Sequence, residues 1–318
     1  MSRHILQRML LLIPMLIGVS IISYGIIRLA PGDPTRVLAD PEMLTTEQMD
    51  ALRVQLGLDQ PLPVQYLRTM QSLLSGDLLS FKTRQPVVEM IAERLPTTIG
   101  LATGVLILGF GLGIVFGVLQ ALRPHSRLDD VLTFLSLFGF AVPTFWFALM
   151  LILVFSVRLG WLPTSGIRPI NTSGWNPLAM APYLVLPTIV LATNLLASVA
   201  RYTRSSMLET MSQDYLRTAR AKGLNERVVM VRHALRNSLL PVITLLGVQI
   251  PYLLGGTVAV ETIFALPGVG RLALDSVISR DYPVILTINL FVAVLVLIGN
   301  LLADIAYGLA DPRVRLGE

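Results

Sequence analysis

The sequence predicts an all-α membrane protein with six transmembrane helices and a helical loop on its outer side. Three observations carry this: a strongly apolar composition, long charge-free runs, and no short alternating segments of the strand-barrel kind. Of 318 residues, 53% are hydrophobic and 14% charged, where a soluble domain carries about 25% charged. Mean hydropathy is +0.69. A soluble fold this poor in charge would expose more apolar surface than water tolerates. The composition excludes a disordered chain, which would be polar and charged. With 0 cysteines, it also excludes a disulfide scaffold, a thiolate metal site and a thiol nucleophile. The net charge of +5 fits basic loops at the inner membrane face better than a nucleic-acid footprint.

Runs free of Asp, Glu, Lys and Arg at 9–27, 97–122, 131–157, 169–200, 237–260 and 282–303 lead to spans at about 9–29, 97–122, 131–157, 183–200, 239–260 and 283–306, within one transmembrane domain, 1–318. A bilayer core needs about 20 apolar residues in helical form. The fourth charge-free run begins earlier, with Asn171, Thr172, Ser173 and Asn176, so its span is set at the apolar part. Arg3 and Arg8 before the first run resemble a signal-peptide start. That run is too long and no small-residue cleavage site follows, so it is read as an uncleaved span. Basic residues are denser in 1–8, 123–130, 201–238 and 308–318 than in 31–96, 158–182 and 264–281. This predicts both termini in the cytoplasm, with 201–238 as a cytoplasmic loop and 31–96 outside.

The second span carries Gly109, Gly113 and Gly117 at every fourth residue, a small face that predicts close packing of helices. Gly100 and Gly104 precede them. In the outer loop, Thr45 and Gln48 form a capping-box pattern that opens a helix ended by Gly57. Pro63 opens a second helix with the apolar stripe Tyr66, Leu67, Met70, Leu73 and Leu74. Pro86 opens a third, with Val87, Val88, Ile91 and Leu95. Pro143 inside the third span predicts a kink.

The inner loop is the more informative segment. Asp214 is read as an N-cap and Gly223 as the C′ residue of a short helix, Tyr215 to Lys222, with Arg220 and Lys222 in its last turn. A helix of about two turns is not stable alone in water. Held between two spans, it reads as a docking element rather than only a basic loop. Asn225 caps a following helix with Val228, Val231, Leu235 and Leu239 at helical spacing.

The chemistry inventory is short. No P-loop motif and no His-Glu-x-x-His motif occurs. His4, His125 and His233 all fall in predicted cytoplasmic pieces. The ionisable residues near spans are Arg28, Glu261 and Asp304, each near a span end rather than mid-membrane. Glu261, next to Arg271, is read as structural. No catalytic residue, metal ligand or cargo-contacting residue is assigned: Trp146, Trp161 and Trp175 could stack on cargo, but two of them lie near the outer interface, where Trp is common anyway. A proton relay or an enzyme is therefore poorly supported, and a transporter driven by a separate motor fits better.

The inner loop resembles the cytoplasmic loop of ABC importer permeases. The segments Asp214-Tyr-Leu-Arg-Thr-Ala-Arg-Ala-Lys-Gly223 and Arg232-His-Ala-Leu-Arg-Asn-Ser-Leu-Leu-Pro241 carry it. The chain resembles the first-permease type of the dipeptide, oligopeptide and nickel family. Further matches are Pro31-Gly-Asp-Pro34, Leu56-Gly-Leu-Asp-Gln-Pro61, Val260-Glu-Thr-Ile-Phe264, Pro267-Gly-Val-Gly-Arg271, Arg280-Asp-Tyr-Pro-Val284 and Asp311-Pro-Arg313. The general permease loop has Glu-Ala-Ala, three residues, Gly, nine residues and Ile-x-Leu-Pro. Here Arg217, Thr218 and Ala219 stand on the first triplet and His233 to Arg236 on the last motif. Gly223 and Ala219 match, while Glu and the last Pro are absent.

The resemblance implies a type I ABC importer permease fold in a bacterial or archaeal inner membrane. It implies a second homologous permease, two ABC ATPase subunits holding ATP and Mg, and an extracytoplasmic solute-binding protein as partners. This chain itself would hold no cofactor. Asp214, Tyr215, Arg217, Thr218, Ala219, Arg220, Ala221, Lys222 and Gly223 would form the coupling helix, seated on an ATPase. The implied cargo is di- or oligopeptides, with glutathione, nickel complexes or another small solute as the alternative. A self-sufficient secondary transporter is the alternative of another class.

Overall fold

A computed structural model describes residues 2–29, 45–55, 57–168, 176–255 and 257–310. Pro31 to Pro34, Leu56, Asn171 to Trp175 and Asp311 to Arg313 lie outside the described residues, as do the side chains of Arg3, His4, Arg8 and Asp304. Among the described residues the secondary structure is helical, with one isolated bridge between Leu79 and Pro86.

The helices are α1 (Ser2–Leu29), α2 (Thr46–Gln55), α3 (Leu62–Ser75), α4 (Val87–Leu122), α5 (Arg127–Ala141) and α6 (Thr144–Arg158). They continue as α7 (Pro177–Met211), α8 (Asp214–Ala221), α9 (Glu226–Ser238), α10 (Leu240–Leu254), α11 (Val258–Ile263), α12 (Val269–Ile278) and α13 (Tyr282–Ala310). Leu10–Leu29, Val87–Leu122, Pro177–Met211 and Tyr282–Leu301 are each long and apolar enough to cross a bilayer. Counted as one span each, two bent pairs bring the number among the described residues to six: α5 with α6, bent by 104°, and α9 with Pro241–Leu254, bent by 48°. At Pro143 the bend is a full break. Val142 ends α5, and Pro143, at φ −57°, precedes α6 because a prolyl ring cannot continue the helix.

The chain forms two compact units. One comprises residues 1–98, 254–258 and 267–298; the other comprises 99–253, 259–266 and 299–318.

In the first unit the capping box forms as the sequence predicts. Thr45 N–H donates to Gln48 Oε1 at 2.9 Å, and Gln48 N–H donates to Thr45 Oγ1 at 3.4 Å. Gly57, at φ +67°, ends the segment with its N–H on Val54 O. The α3 face differs from the expected stripe. Leu67 and Leu74 are exposed, and Gln65 is buried. Gln65 accepts from Tyr24 OH at 3.3 Å and donates to Leu58 O and Gln60 O, so a polar anchor rather than a leucine faces α1. Tyr66 adds a 2.7 Å hydroxyl contact with Ser20 and an edge-on ring contact with Tyr24. The helix expected to begin after Pro86 is continuous with the second span. Val87, Met90 and Ile91 bury against Leu78, Val269, Leu272, Val284 and Ile288, while Val88 is exposed. Pro96 lies inside α4 without ending it; buried Thr98 instead accepts from Val269 N–H at 3.0 Å. Arg28 stacks between the rings of Tyr24 and Tyr282, at 5.2 and 5.8 Å, which accommodates a charge at the end of an apolar helix.

In the second unit, α4 packs on α7 through the predicted glycine face. A Cβ on Gly109 would lie 2.8 Å from Leu195, one on Gly113 2.7 Å from Val199, and one on Gly117 2.5 Å from Thr203 and 2.6 Å from Ala200 O. Only glycine permits that approach. Gly104 faces Thr188 in the same way, and Gly139 of α5 sits directly against Thr193. Glu261 is fully buried within α11, and its carbonyl accepts from Leu266 N–H at 2.8 Å.

Candidate functional site

The site is the segment from Ser212 to Ser238. The chain leaves α7 through a short turn, with Ser212 N–H on Glu209 O and Gln213 N–H on Thr210 O. Helix α8 then runs from Asp214 to Ala221, one residue earlier at each end than the sequence predicts. Gln213, not Asp214, occupies the N-cap position, and it makes no side-chain cap bond. Asp214 lies in the first turn, where its charge suits the helix dipole, and pairs with Arg217 at 3.3 Å. Lys222 is the C-cap. Gly223 follows at φ +75°, the left-handed C′ position that glycine adopts without a Cβ penalty.

The helix divides sharply into two faces. Leu216 (0% exposed) and Ala219 (8%) enter a cluster with Ala121, Met207, Val229 and Ala234. Asp214, Tyr215, Arg217, Thr218, Arg220, Ala221 and Lys222 are exposed. The inward pair stands three residues apart, the spacing of neighbours on one helix face. Two long-reach bonds fix the orientation: Asn237 Nδ2 donates to Tyr215 OH at 2.8 Å, and Arg220 makes a double contact with Glu226, at 2.9 and 3.2 Å. The Arg220 bond holds the Glu226 carboxyl below its ordinary range, and the same bond raises the Arg220 pKa. Thr218 Oγ1 donates back to Asp214 O at 3.1 Å.

Asn225 caps α9 as predicted, with Oδ1 accepting from Arg227 N–H at 3.0 Å. The expected stripe of Val228, Val231, Leu235 and Leu239 does not all face inward. Val228 and Val231 are exposed, and the buried residues are Val229, Ala234 and Ser238. The reason is local: residues Val229–Leu235 form a wide π-type turn, which advances the buried face by five residues, not four. Ala234, within the second motif, is what lets this helix approach Leu216. Nothing in the sequence spacing signals the π turn. Ala121 and Met207, which complete the cluster from α4 and α7, are equally hidden, because they belong to helices that read only as spans.

Within the loop, Asp214 and Glu226 pair with Arg217 and Arg220. Lys222, Arg227, Arg232 and Arg236 add positive charge along the same segment. The segment presents a short helix propped on an apolar platform, with charged and hydroxyl groups facing away.

The long apolar helices and this propped loop define a multi-pass membrane protein. Residues 113–316 match the binding-protein-dependent transport system inner membrane component, and residues 1–102 match the N-terminal part of the binding-protein-dependent transport system membrane component. The chain belongs to this family of ABC importer permeases. It is 46% identical over 316 residues to the oligopeptide transport system permease protein AppB of Bacillus subtilis, covering 99% of each chain. It is 41% identical over 317 residues to a probable peptide ABC transporter permease protein of Sinorhizobium fredii, covering 99% of this chain and 100% of that one. A putative peptide transport system permease protein of Brucella abortus is 43% identical over 316 residues, with 99% of each covered. The inward-facing MetNI methionine ABC transporter shares the fold, with a TM-score of 0.57 at 16% identity, covering 71% of this chain and 99% of that one. The chain is thus a multi-pass inner-membrane transport subunit with the type I importer permease fold.

Proposed function

We propose that this permease carries di- or oligopeptides across the membrane and that α8 with Gly223 is its coupling helix. The carrying observation is the division of α8: Leu216 and Ala219 buried on the membrane bundle, and Asp214, Tyr215, Arg217, Thr218, Arg220, Ala221 and Lys222 presented outward. A rigid helix so propped transmits a push to α7 and α4, because the cluster beneath it contains Met207 and Ala121 of those helices. The peptide cargo is supported by the names of the relatives, which are oligopeptide or peptide permeases.

In this reading a second homologous permease completes the pathway. Two ATPase subunits, holding ATP and Mg, receive the coupling helices from the cytoplasm, and an extracytoplasmic binding protein delivers cargo. Both termini and 201–238 lie inside. ATPase closure moves α8, and the spans change access by rigid-body motion. Gly223→Asp places a charged side chain at a left-handed C′ residue on the docking surface. Uptake of labelled tripeptide should be lost while membrane insertion stays normal. Normal uptake would sink the docking assignment. A mild-detergent pull-down through a tag on this chain tests the partners: the second permease and the ATPases should accompany it, and recovery of the chain alone from cells expressing its native neighbours would overturn the partnership.

A further inference from the structure

Between α5 and α7 in the second unit lies a cavity of about 280 Å³ that the coupling site does not use. Gln120, Thr133, Ser136, Phe140, Arg201 and Arg204 are among the residues that line it, with Leu137 beside them. Its polar groups are unequal in what they have left to offer. Gln120 Nε2 donates to Thr133 Oγ1, Thr133 Oγ1 donates to Asp129, and Ser136 Oγ donates to Leu132 O. Arg204 is engaged by Asp129 through both Nε and Nη2, at 3.1 and 2.8 Å. Arg201 differs. Its guanidinium stands 5.4 Å from the Phe140 ring centre and has no acidic partner among the described residues. Among the described residues, the cavity therefore keeps one positive charge without an acidic partner, on Arg201.

Arg201 is the first residue after the charge-free run 169–200. Beside it the surface turns apolar: Phe134, Leu137 and Phe140 of α5 are all more than half exposed. A free anion would use the cation and leave that wall bare. A water-soluble protein partner would not suit a wall at membrane depth. An amphiphile with an anionic head uses both, and basic pockets between transmembrane helices on the cytoplasmic side suit such headgroups. We propose that the cavity binds the phosphate headgroup of an anionic phospholipid, with Arg201 as the anion ligand and Leu137 and Phe140 as the wall for an acyl chain. Its position at the inner leaflet rests on the orientation proposed above.

The test uses the full chain, purified in neutral detergent, exchanged with phosphatidylglycerol or phosphatidylcholine and read by native mass spectrometry for retained lipid. Phosphatidylglycerol should be retained over phosphatidylcholine. Arg201→Gln should lower its retention about fivefold, the usual effect of one basic residue at a membrane surface. Arg227→Gln, an equal charge change away from the cavity, should leave retention unchanged, and Arg201→Lys should keep most of it. If Arg201→Gln does not fold, Ser136→Leu, which fills the cavity, should give the same loss. Equal losses from Arg201→Gln and Arg227→Gln would show diffuse attraction and overturn the site. Displacement by millimolar inorganic phosphate would make it a free-anion site, and displacement by a tripeptide would make it a cargo site; either overturns the lipid assignment. The chain has no native cysteine, so Arg227→Cys alone reports orientation through a membrane-impermeant maleimide. Labelling in intact cells would overturn the orientation and leave lipid retention standing. Lost retention without labelling would overturn the lipid site alone.

Discussion

Asp281 accepts a hydrogen bond from the Ser80 hydroxyl at 2.5 Å, across 201 residues of sequence. The same carboxylate accepts from Phe81 N–H at 3.0 Å and Lys82 N–H at 3.4 Å, and Ser80 Oγ in turn accepts from Thr83 N–H at 3.0 Å. One buried acid thus folds the turn ahead of α4 onto the loop ahead of α13. Asp281 and Ser80 are both almost inaccessible, so losing the acceptor strands donors away from water. Asp281→Ala should therefore cost about 1–3 kcal/mol, the penalty for leaving buried donors unpaired. Thermal unfolding in detergent should show a lower Tm than the wild type, with Asp281→Asn between them because an amide keeps one acceptor oxygen. A melting curve for Asp281→Ala superposed on the wild type would refute the clamp.

The pair Asp129–Arg204 makes a second long-range tie, now inside the other unit. Asp129 is nearly buried, and it also accepts from His125 N–H at 3.1 Å, steadying a residue at φ +58°. Arg204 keeps about a third of its side chain exposed, so solvent screens part of the attraction. Arg204→Met should cost about 1–2 kcal/mol by leaving the acid without its cation, less than a fully buried pair would. Asp129→Asn in the Arg204→Met background should recover part of that loss. Additive losses in this double-mutant cycle, measured by denaturant unfolding, would show that the two side chains are not coupled.

Helix α4 supplies its own control for the close approach to α7. Gly117→Ala puts a methyl group against Thr203 and Ala200 O, where backbone must shift, whereas a methyl group on Gly111 would meet nothing within 4 Å. Gly117→Ala should destabilise by about 1–3 kcal/mol through overpacking. Gly111→Ala should be neutral or stabilising by up to about 1 kcal/mol, the helix-propensity gain. The readout is the Tm of each variant; equal shifts would remove the case for glycine-mediated packing.

These relationships differ in how visible they are in the sequence. The glycine face, the Thr45–Gln48 capping box and the left-handed Gly223 after α8 follow from short spacings that act within one or two turns, whereas the N-cap read at Asp214 falls one residue earlier, at Gln213. The Arg280-Asp-Tyr-Pro segment is visible as a motif, but nothing near it in sequence reveals that Asp281 serves Ser80. Hydrophobic stripes mislead in α3, where Gln65 is the buried residue, because a polar side chain with three satisfied bonds buries as well as a leucine. They mislead again in α9, because the π turn changes the period on which the reading depends. Pro86 suggests the start of a separate helix. In the structure the helix runs on through Pro96, since a proline in a long helix costs one hydrogen bond without stopping it.

The Arg220–Glu226 pair predicts a pH dependence for the loop. The Glu226 carboxyl is depressed by its bond to Arg220, so the folded loop binds a proton less readily than the open one. The bond is fully present above the ordinary glutamate range, at about pH 4.3, and is lost as pH falls through the depressed value. Hydrogen exchange of amides 214–226 should therefore speed up at acid pH after correction for intrinsic rates. Glu226→Gln should show the faster exchange already at neutral pH and little further change on acidification. An acid response unaltered in Glu226→Gln would assign it to another group.

The last test separates the platform beneath α8 from the turn that ends it. Eight residues of helix are too few to persist on local propensity, so α8 depends on burying Leu216 and Ala219. Leu216→Ala removes the largest side chain of that contact from a fully buried position and should cost about 2–5 kcal/mol locally. The spans do not depend on this contact, so membrane insertion and the exchange protection of α4 and α7 should persist while α8 amides lose theirs. Peptide uptake should fall with the lost helix. Gly223→Ala is the counterpart. No atom lies within 4 Å of a Cβ there, so the substitution meets only the strain of φ +75°, of about 1 kcal/mol. It should leave α8 protected and uptake nearly normal, unlike the charged Gly223→Asp. If Leu216→Ala left α8 fully protected, the platform would not be what holds the helix, and the push it is proposed to transmit would need another route into the bundle.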